Sequence, residues 1–189
     1  MKNSLIFFLL VICSVQLFSQ RDKTLFGKGL DMSASWAGIS FTSSKIMDKT
    51  VNQLGLDVGF EYNGNLLTGY QWRSTIDEVV LAGLTDNNQL KYNYHTFLVG
   101  YTLPTHRMIH PRFTIGVGPG NIQLDNVKDQ IFVVQPEVGV EINLLQWMRL
   151  SLNGGYRKVS GIQSASLTND NFTNFYGSAS LRFGWSWGN

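Results

Sequence analysis

The chain has 189 residues, a formal net charge of +2, 19 glycines and 13% aromatic residues. Fifteen basic residues stand against 13 acidic ones without a basic run, so nucleic-acid binding has no electrostatic support. The single cysteine, Cys13, excludes an internal disulfide framework.

Residues 1–19 are expected to be an export signal. Lys2 supplies the positive start, Leu5 to Val15 the apolar centre, and Ser19 a small residue suited to cleavage before Gln20. Ile12 stands before Cys13, where a lipidation signal wants a small residue. The apolar stretch is shorter than the roughly 20 residues of a membrane helix, and no later segment is continuously apolar. Residues 20–189 are expected to form one domain without thiols.

From there on, apolar and polar residues alternate one for one, the period of a strand. Eight strands are predicted, at 29–41, 52–62, 66–76, 90–103, 111–118, 131–144, 147–158 and 174–187. The last is the clearest: Phe175, Gly177, Ala179, Leu181, Phe183, Trp185 and Trp187 alternate with Tyr176, Ser178, Ser180, Arg182, Gly184 and Ser186. Eleven residues at about 3.3 Å each, tilted near 45°, cover roughly the hydrocarbon thickness of a bilayer.

Connections 63–65, 104–110 and 145–146 read as short, and 42–51, 77–89, 119–130 and 159–173 as long. Short turns at one end and long loops at the other are the plan of a barrel that crosses a membrane. Asn63, Gly64 and Asn65 tolerate the positive φ of a tight hairpin. Three places break the alternation. After Trp36 and Gly38 the apolar register passes to Ile39 and Phe41, which predicts a bulge. Tyr92 and Tyr94 lie on the wrong face of their strand and predict a slip. Pro136 lacks a donor and predicts a local irregularity.

Alternation alone fits a soluble lipocalin-type barrel as well. One face of each strand is free of charge, as in Leu54, Leu56, Val58 and Phe60. The other carries Asp57, Glu61, Arg73, Arg112, Glu137, Glu141, Arg149, Arg157 and Arg182. An arginine facing lipid at mid-depth costs about 2–4 kcal/mol, so in a membrane these residues look inward. Two aromatic girdles decide for the membrane: Tyr62, Tyr101, Trp147, Trp185 and Trp187 at the end with short turns, and Trp36, Trp72 and Tyr156 toward the other. The predicted fold is all-β, a closed antiparallel up-and-down transmembrane β-barrel of eight strands.

With its strand and loop plan and the closing run Leu181, Arg182, Phe183, Gly184, Trp185, Ser186 and Trp187, the chain resembles the small outer-membrane β-barrel proteins of Gram-negative bacteria, built like the OmpA transmembrane domain. The resemblance implies residence in the cell outer membrane, contact with outer-membrane lipid, and recognition of the terminal strand by the barrel-assembly machinery. It leaves the task open, since similar barrels serve as anchors, adhesion surfaces, lipid enzymes and parts of larger complexes.

Asp57, Glu61, Arg73, Glu137, Glu141, Arg149 and Arg182 are expected to form an interior charge network that fills the lumen, because buried ions must pair. His95 invites comparison with the histidine of outer-membrane acyl hydrolases, but no His-x-Ser arrangement surrounds it. His106 and His110 have a metal-like i, i+4 spacing only on a helix, which Pro104 and Pro111 oppose. Gly116, Gly118 and Gly120 mimic a phosphate loop without the helix that should follow. No catalytic residue, metal ligand or cofactor is therefore assigned. The expected role is structural or surface-interacting, with the long external loops meeting another envelope protein. A lipid-modifying hydrolase and a narrow, porin-like passive pore are the alternatives.

Overall fold

The computed structural model describes residues 30–47, 49–76, 79–80, 89–104, 108–124, 127–164 and 167–186. The export signal at 1–19 lies outside the described residues. Nine strands follow in order: β1 (Met32–Ile46), β2 (Lys49–Tyr62), β3 (Leu66–Thr75), β4 (Val79–Val80), β5 (Gln89–Thr102), β6 (Ile109–Leu124), β7 (Val127–Asn143), β8 (Met148–Ser160) and β9 (Asn174–Ser186). A one-turn helix, α1 (Asn169–Phe172), precedes β9.

Each long strand is antiparallel to its chain neighbours, β9 returns to β1, and β3 pairs with β5, so the ladder closes through eight staves. β4 is a two-residue ribbon on the end of β5 and not a stave. Closure leaves no free edge to attract another chain. Asn63 and Gly64, at φ 51° and 71°, make the tightest turn, as a hairpin with right-handed strand twist requires.

The turn end of the barrel carries 63–65, 103–104, 108, 144–147, the start of β1 and the end of β9. At the opposite, loop end the strands run further than their sequence suggests. Segments 42–51 and 119–130 are not long loops: β1 continues to Ile46 and β2 starts at Lys49, while β6 continues to Leu124 and β7 starts at Val127.

The cause is an inversion of the alternation. Through the lower wall, Ile39, Phe41, Leu54, Leu56, Val58 and Phe60 face outward and are exposed. Near the loop end the apolar residues turn inward instead: Ile46, Val51, Leu90, Tyr92, Ile122 and Val133 are all buried. Their outward neighbours there are mostly polar, among them Lys45, Lys91, Lys128 and Lys158, although Phe132 beside Val133 is outward and exposed. The lower barrel is built for oil outside and the upper collar for water outside. Seventeen residues of β7 at about 3.3 Å, tilted near 40°, climb roughly 40 Å, against an apolar band of about 25 Å.

Two of the predicted irregularities are absent from the described strands. Burial alternates in one phase along β1, and its pairing with β9 holds a single register, so there is no bulge after Trp36. The one shift against β2 lies between Met32 and Ala34. Tyr92 and Tyr94 do not slip either; they are inward residues of the apolar collar. Opposite Gln135 and Pro136 the ladder from β7 to β8 lapses and resumes in the same register at Glu137. Exposed Pro136 thus interrupts pairing without changing the strand's phase.

Candidate functional site

The lumen contains three stacked layers. Nearest the turn end, Glu141 from β7 is fully buried and meets three guanidinium groups: Arg182 at 2.6 Å, Arg149 at 3.1 Å and Arg112 at 3.5 Å. Arg149 also reaches Glu61 at 3.1 Å, and Arg182 lies 3.7 Å from the same carboxylate. Arg112 donates a second hydrogen bond to Ser151 Oγ at 3.1 Å. A polar cavity of about 230 Å³ opens below this cluster, lined by Glu141, Arg149, His110, Asn143 and Thr102 among others.

Above it, Arg73 and Asp57 form a two-pronged ion pair between adjacent strands. Glu137 has hydroxyl partners, accepting from Thr114 at 3.0 Å and Tyr176 at 2.7 Å. Gln135 donates to Gln71 Oε1 at 3.0 Å, and Thr96 donates to the same oxygen at 3.2 Å. The first bond crosses the lumen from β7 to β3 and braces staves that are not neighbours, while the second joins adjacent β5 and β3. All seven residues assigned to the interior set lie on the lumen side.

Arg157 marks the third layer and was missing from that set. It is fully buried and donates to Gln53 and Ser44 at 2.7 Å each and to Tyr94 at 3.3 Å. Its guanidinium lies over Tyr92, Tyr94 and Tyr176, at 5.1, 5.6 and 5.7 Å from the ring centroids. Tyrosine faces and neutral oxygens thus replace the expected carboxylate. Directly above is the apolar plug of the collar, closed by Leu167 and by Phe172 of α1, whose ring is 5.5 Å edge-on from Tyr92. Beside the polar and charged network expected to fill the lumen, the loop end is thus filled by hydrocarbon.

The girdle residues divide. Tyr62, Tyr101 and Trp147 face outward at the turn end, Trp147 stacked 6.0 Å from Phe183. Trp72 and Tyr156 also face outward, Tyr156 edge-on to Phe175 at 5.0 Å. The side chain of Trp185, and Trp187 altogether, lie outside the described residues. Trp36 is not in a girdle: it is buried in the lumen at 4% exposure, with Arg182 5.2 Å above its ring. Its ladder partners are Gly59 and Gly184, and Gly69 pairs with Gly59. A methyl group on Gly59 or Gly69 would stand 2.7 or 2.9 Å from the indole, so this row of glycines is the slot that admits it.

His95 faces outward, its Nδ1 2.6 Å from the Tyr70 hydroxyl. His110 lies in β6 with Nε2 3.1 Å from Asn143 Nδ2, while His106 is outside the described residues. Gly116, Gly118 and Gly120 are inward positions of β6, not part of a loop, and leave room for Thr96, Gln135 and Tyr94. Among the described residues, no three His, Cys, Asp or Glu side chains converge as a metal site would.

Several solved structures share this architecture at low sequence identity. Neisserial surface protein A matches with a TM-score of 0.63 at 12% identity, covering 82% of this chain and 99% of its own. The N-terminal β-barrel domain of Pseudomonas aeruginosa OprF gives 0.56 at 11%, covering 79% and 97%. The P. aeruginosa outer membrane protein OprG gives 0.52 at 13%, covering 83% and 98%. No curated protein matches the sequence. The family model described as "Outer membrane protein beta-barrel domain" matches residues 5–183, most of the chain. With eight closed staves, an apolar wall and an ion-paired lumen, the chain belongs to the outer membrane protein β-barrel domain family and resides in the cell outer membrane.

Proposed function

We propose that this protein is a closed, non-enzymatic barrel with a structural or surface-interacting role, whose loop end meets partners in the envelope or outside the cell. The observation that carries the reading is the layer of Arg157, Tyr92, Tyr94 and Tyr176 beneath the plug capped by Phe172. Eight staves enclose a lumen just wide enough for side chains, and these large ones occupy its cross-section. Of the four connections expected to be long, 42–51 and 119–130 are hairpins and 77–78 and 81–88 lie outside the described residues, so the described surface offered to a partner is the collar wall together with 161–164 and 167–173. His95 has a tyrosine hydroxyl as its hydrogen-bond partner, which supports an interfacial polar contact over a nucleophile's base.

Planar-bilayer recording of the native mature protein at neutral pH is the test. The expected record is free of unitary steps. A reproducible open-channel current would overturn the closed-barrel reading in favour of a pore. Arg182→Ala is expected to lower stability while leaving permeability unchanged.

A further inference from the structure

The cations of this barrel are sorted by type. Every arginine among the described residues lies on the lumen side: Arg73, Arg112, Arg149, Arg157 and Arg182. Every described lysine (Lys45, Lys49, Lys91, Lys128 and Lys158) is exposed within three residues of a strand's loop end. Arginine's planar fork suits the bidentate, ring-stacked contacts of the lumen; the lysine stem carries a compact charge out along an apolar wall.

Four of the lysines make two outward groups. Lys91 of β5, Gln123 of β6 and Lys128 of β7 occupy one cross-strand row. Strands about 4.8 Å apart place the two lysine backbones roughly 10 Å from each other, so both ammonium groups can close on one tetrahedral anion between them. Lys158 of β8 and Lys45 of β1 flank β9, where the Asn174 side chain donates to the Lys45 carbonyl at 2.9 Å. Just below Lys158 on the same face is Tyr156, packed on Phe175, which is 79% exposed. Aromatic rings of this kind lie at the level of the lipid headgroups. Of the described acidic residues at this end, Asp129 is engaged by the Ser164 N–H at 3.1 Å and Asp170 belongs to α1.

We propose that Lys45, Lys91, Lys128 and Lys158 form a collar that binds phosphate groups of outer-leaflet lipid headgroups. Lys158 sits directly above outward Tyr156, at the change from apolar to polar surface where headgroup phosphates lie, and Lys91 and Lys128 stand on the water side of that boundary, beyond His95 and Asn93 on β5 and Gln130 on β7. Charge complementarity selects an anionic lipid surface, and the row of Lys91 and Lys128 selects a phosphate held between two ammonium groups. The proposal does not depend on whether the lumen is closed.

The test is native mass spectrometry of the mature protein in neutral detergent, titrated with diphosphoryl lipid A or with its dephosphorylated form. A lysine near an anionic surface contributes roughly a fivefold factor in affinity, so replacing all four with glutamine should weaken retention of the diphosphoryl lipid by roughly several hundredfold. The corresponding four lysine-to-arginine replacements should retain it, and heat-modifiable gel mobility verifies that each variant is folded. The dephosphorylated lipid should bind the native and glutamine forms alike. Equal retention of the two lipids by the native protein, or unchanged retention by the folded glutamine variant, would overturn the proposal. Displacement of the lipid by millimolar inorganic phosphate would overturn the headgroup assignment.

Discussion

Replacing Glu141 with alanine should be the most damaging single change to the lumen. The carboxylate is completely buried and receives Arg182 at 2.6 Å, Arg149 at 3.1 Å and Arg112 at 3.5 Å. Its removal leaves three like charges facing one another, with only Glu61 nearby to share two of them. Stranding one buried ion costs about 3–5 kcal/mol. Because Glu61 compensates in part while the guanidinium groups also repel, a loss of about 4 kcal/mol is expected. Urea titration of the barrel refolded into lipid vesicles, followed by tryptophan fluorescence, measures it. At a slope of about 2 kcal/mol per molar urea, the midpoint falls by roughly 2 M. Glu141→Ala combined with Arg182→Ala should recover roughly 1–3 kcal/mol, because one stranded charge leaves with its partner. A fall of less than about 0.5 M, or strict additivity of the two substitutions, would refute the reasoning.

Two further outcomes follow from the inverted collar. Val138→Arg, on the outward face of β7 at mid-wall where the side chain is 58% exposed, should cost about 2–4 kcal/mol in the same vesicle assay, whereas Gln130→Arg on the same face of the same strand should change stability by less than about 0.5 kcal/mol. Equal penalties would place both residues in one environment and contradict the inversion. Phe172→Ala removes the cap of the plug and should cost about 3 kcal/mol, with hydrogen exchange rising at Leu90, Tyr92 and Val159 before the lower wall; uniform protection in the variant would show that the cap carries no load.

The lower wall is legible in the sequence because one rule holds along it. Leu54 to Phe60 and Val134 to Val140 alternate cleanly, and the charged residues on their other face had only the lumen to enter. The collar is less legible because the rule reverses there: Ile46 and Val51 resemble continuations of the lipid face but point inward, so the strands beyond them read as loops. Tyr92 and Tyr94 are the visible trace of that reversal, which in the sequence has the same signature as a slip. Trp36 reads as a girdle residue because indoles favour interfaces on average; the signal against it lies at a distance, in Gly59, Gly69 and Gly184, which only the register brings alongside. The lysine rim leaves no cluster in the chain, since successive members Lys45, Lys91, Lys128 and Lys158 are 46, 37 and 30 residues apart and only the strand order gathers them at one end.

The reversal of faces also fixes the barrel's depth. Sinking by one pair of residues would draw ammonium groups into hydrocarbon, and rising by the same amount would expose leucine and phenylalanine to water. A rigid closed cylinder cannot adjust by bending. In a bilayer of another thickness, the surrounding lipids must therefore stretch or compress to meet it, so the protein acts as a gauge that imposes its own waterline on its neighbours.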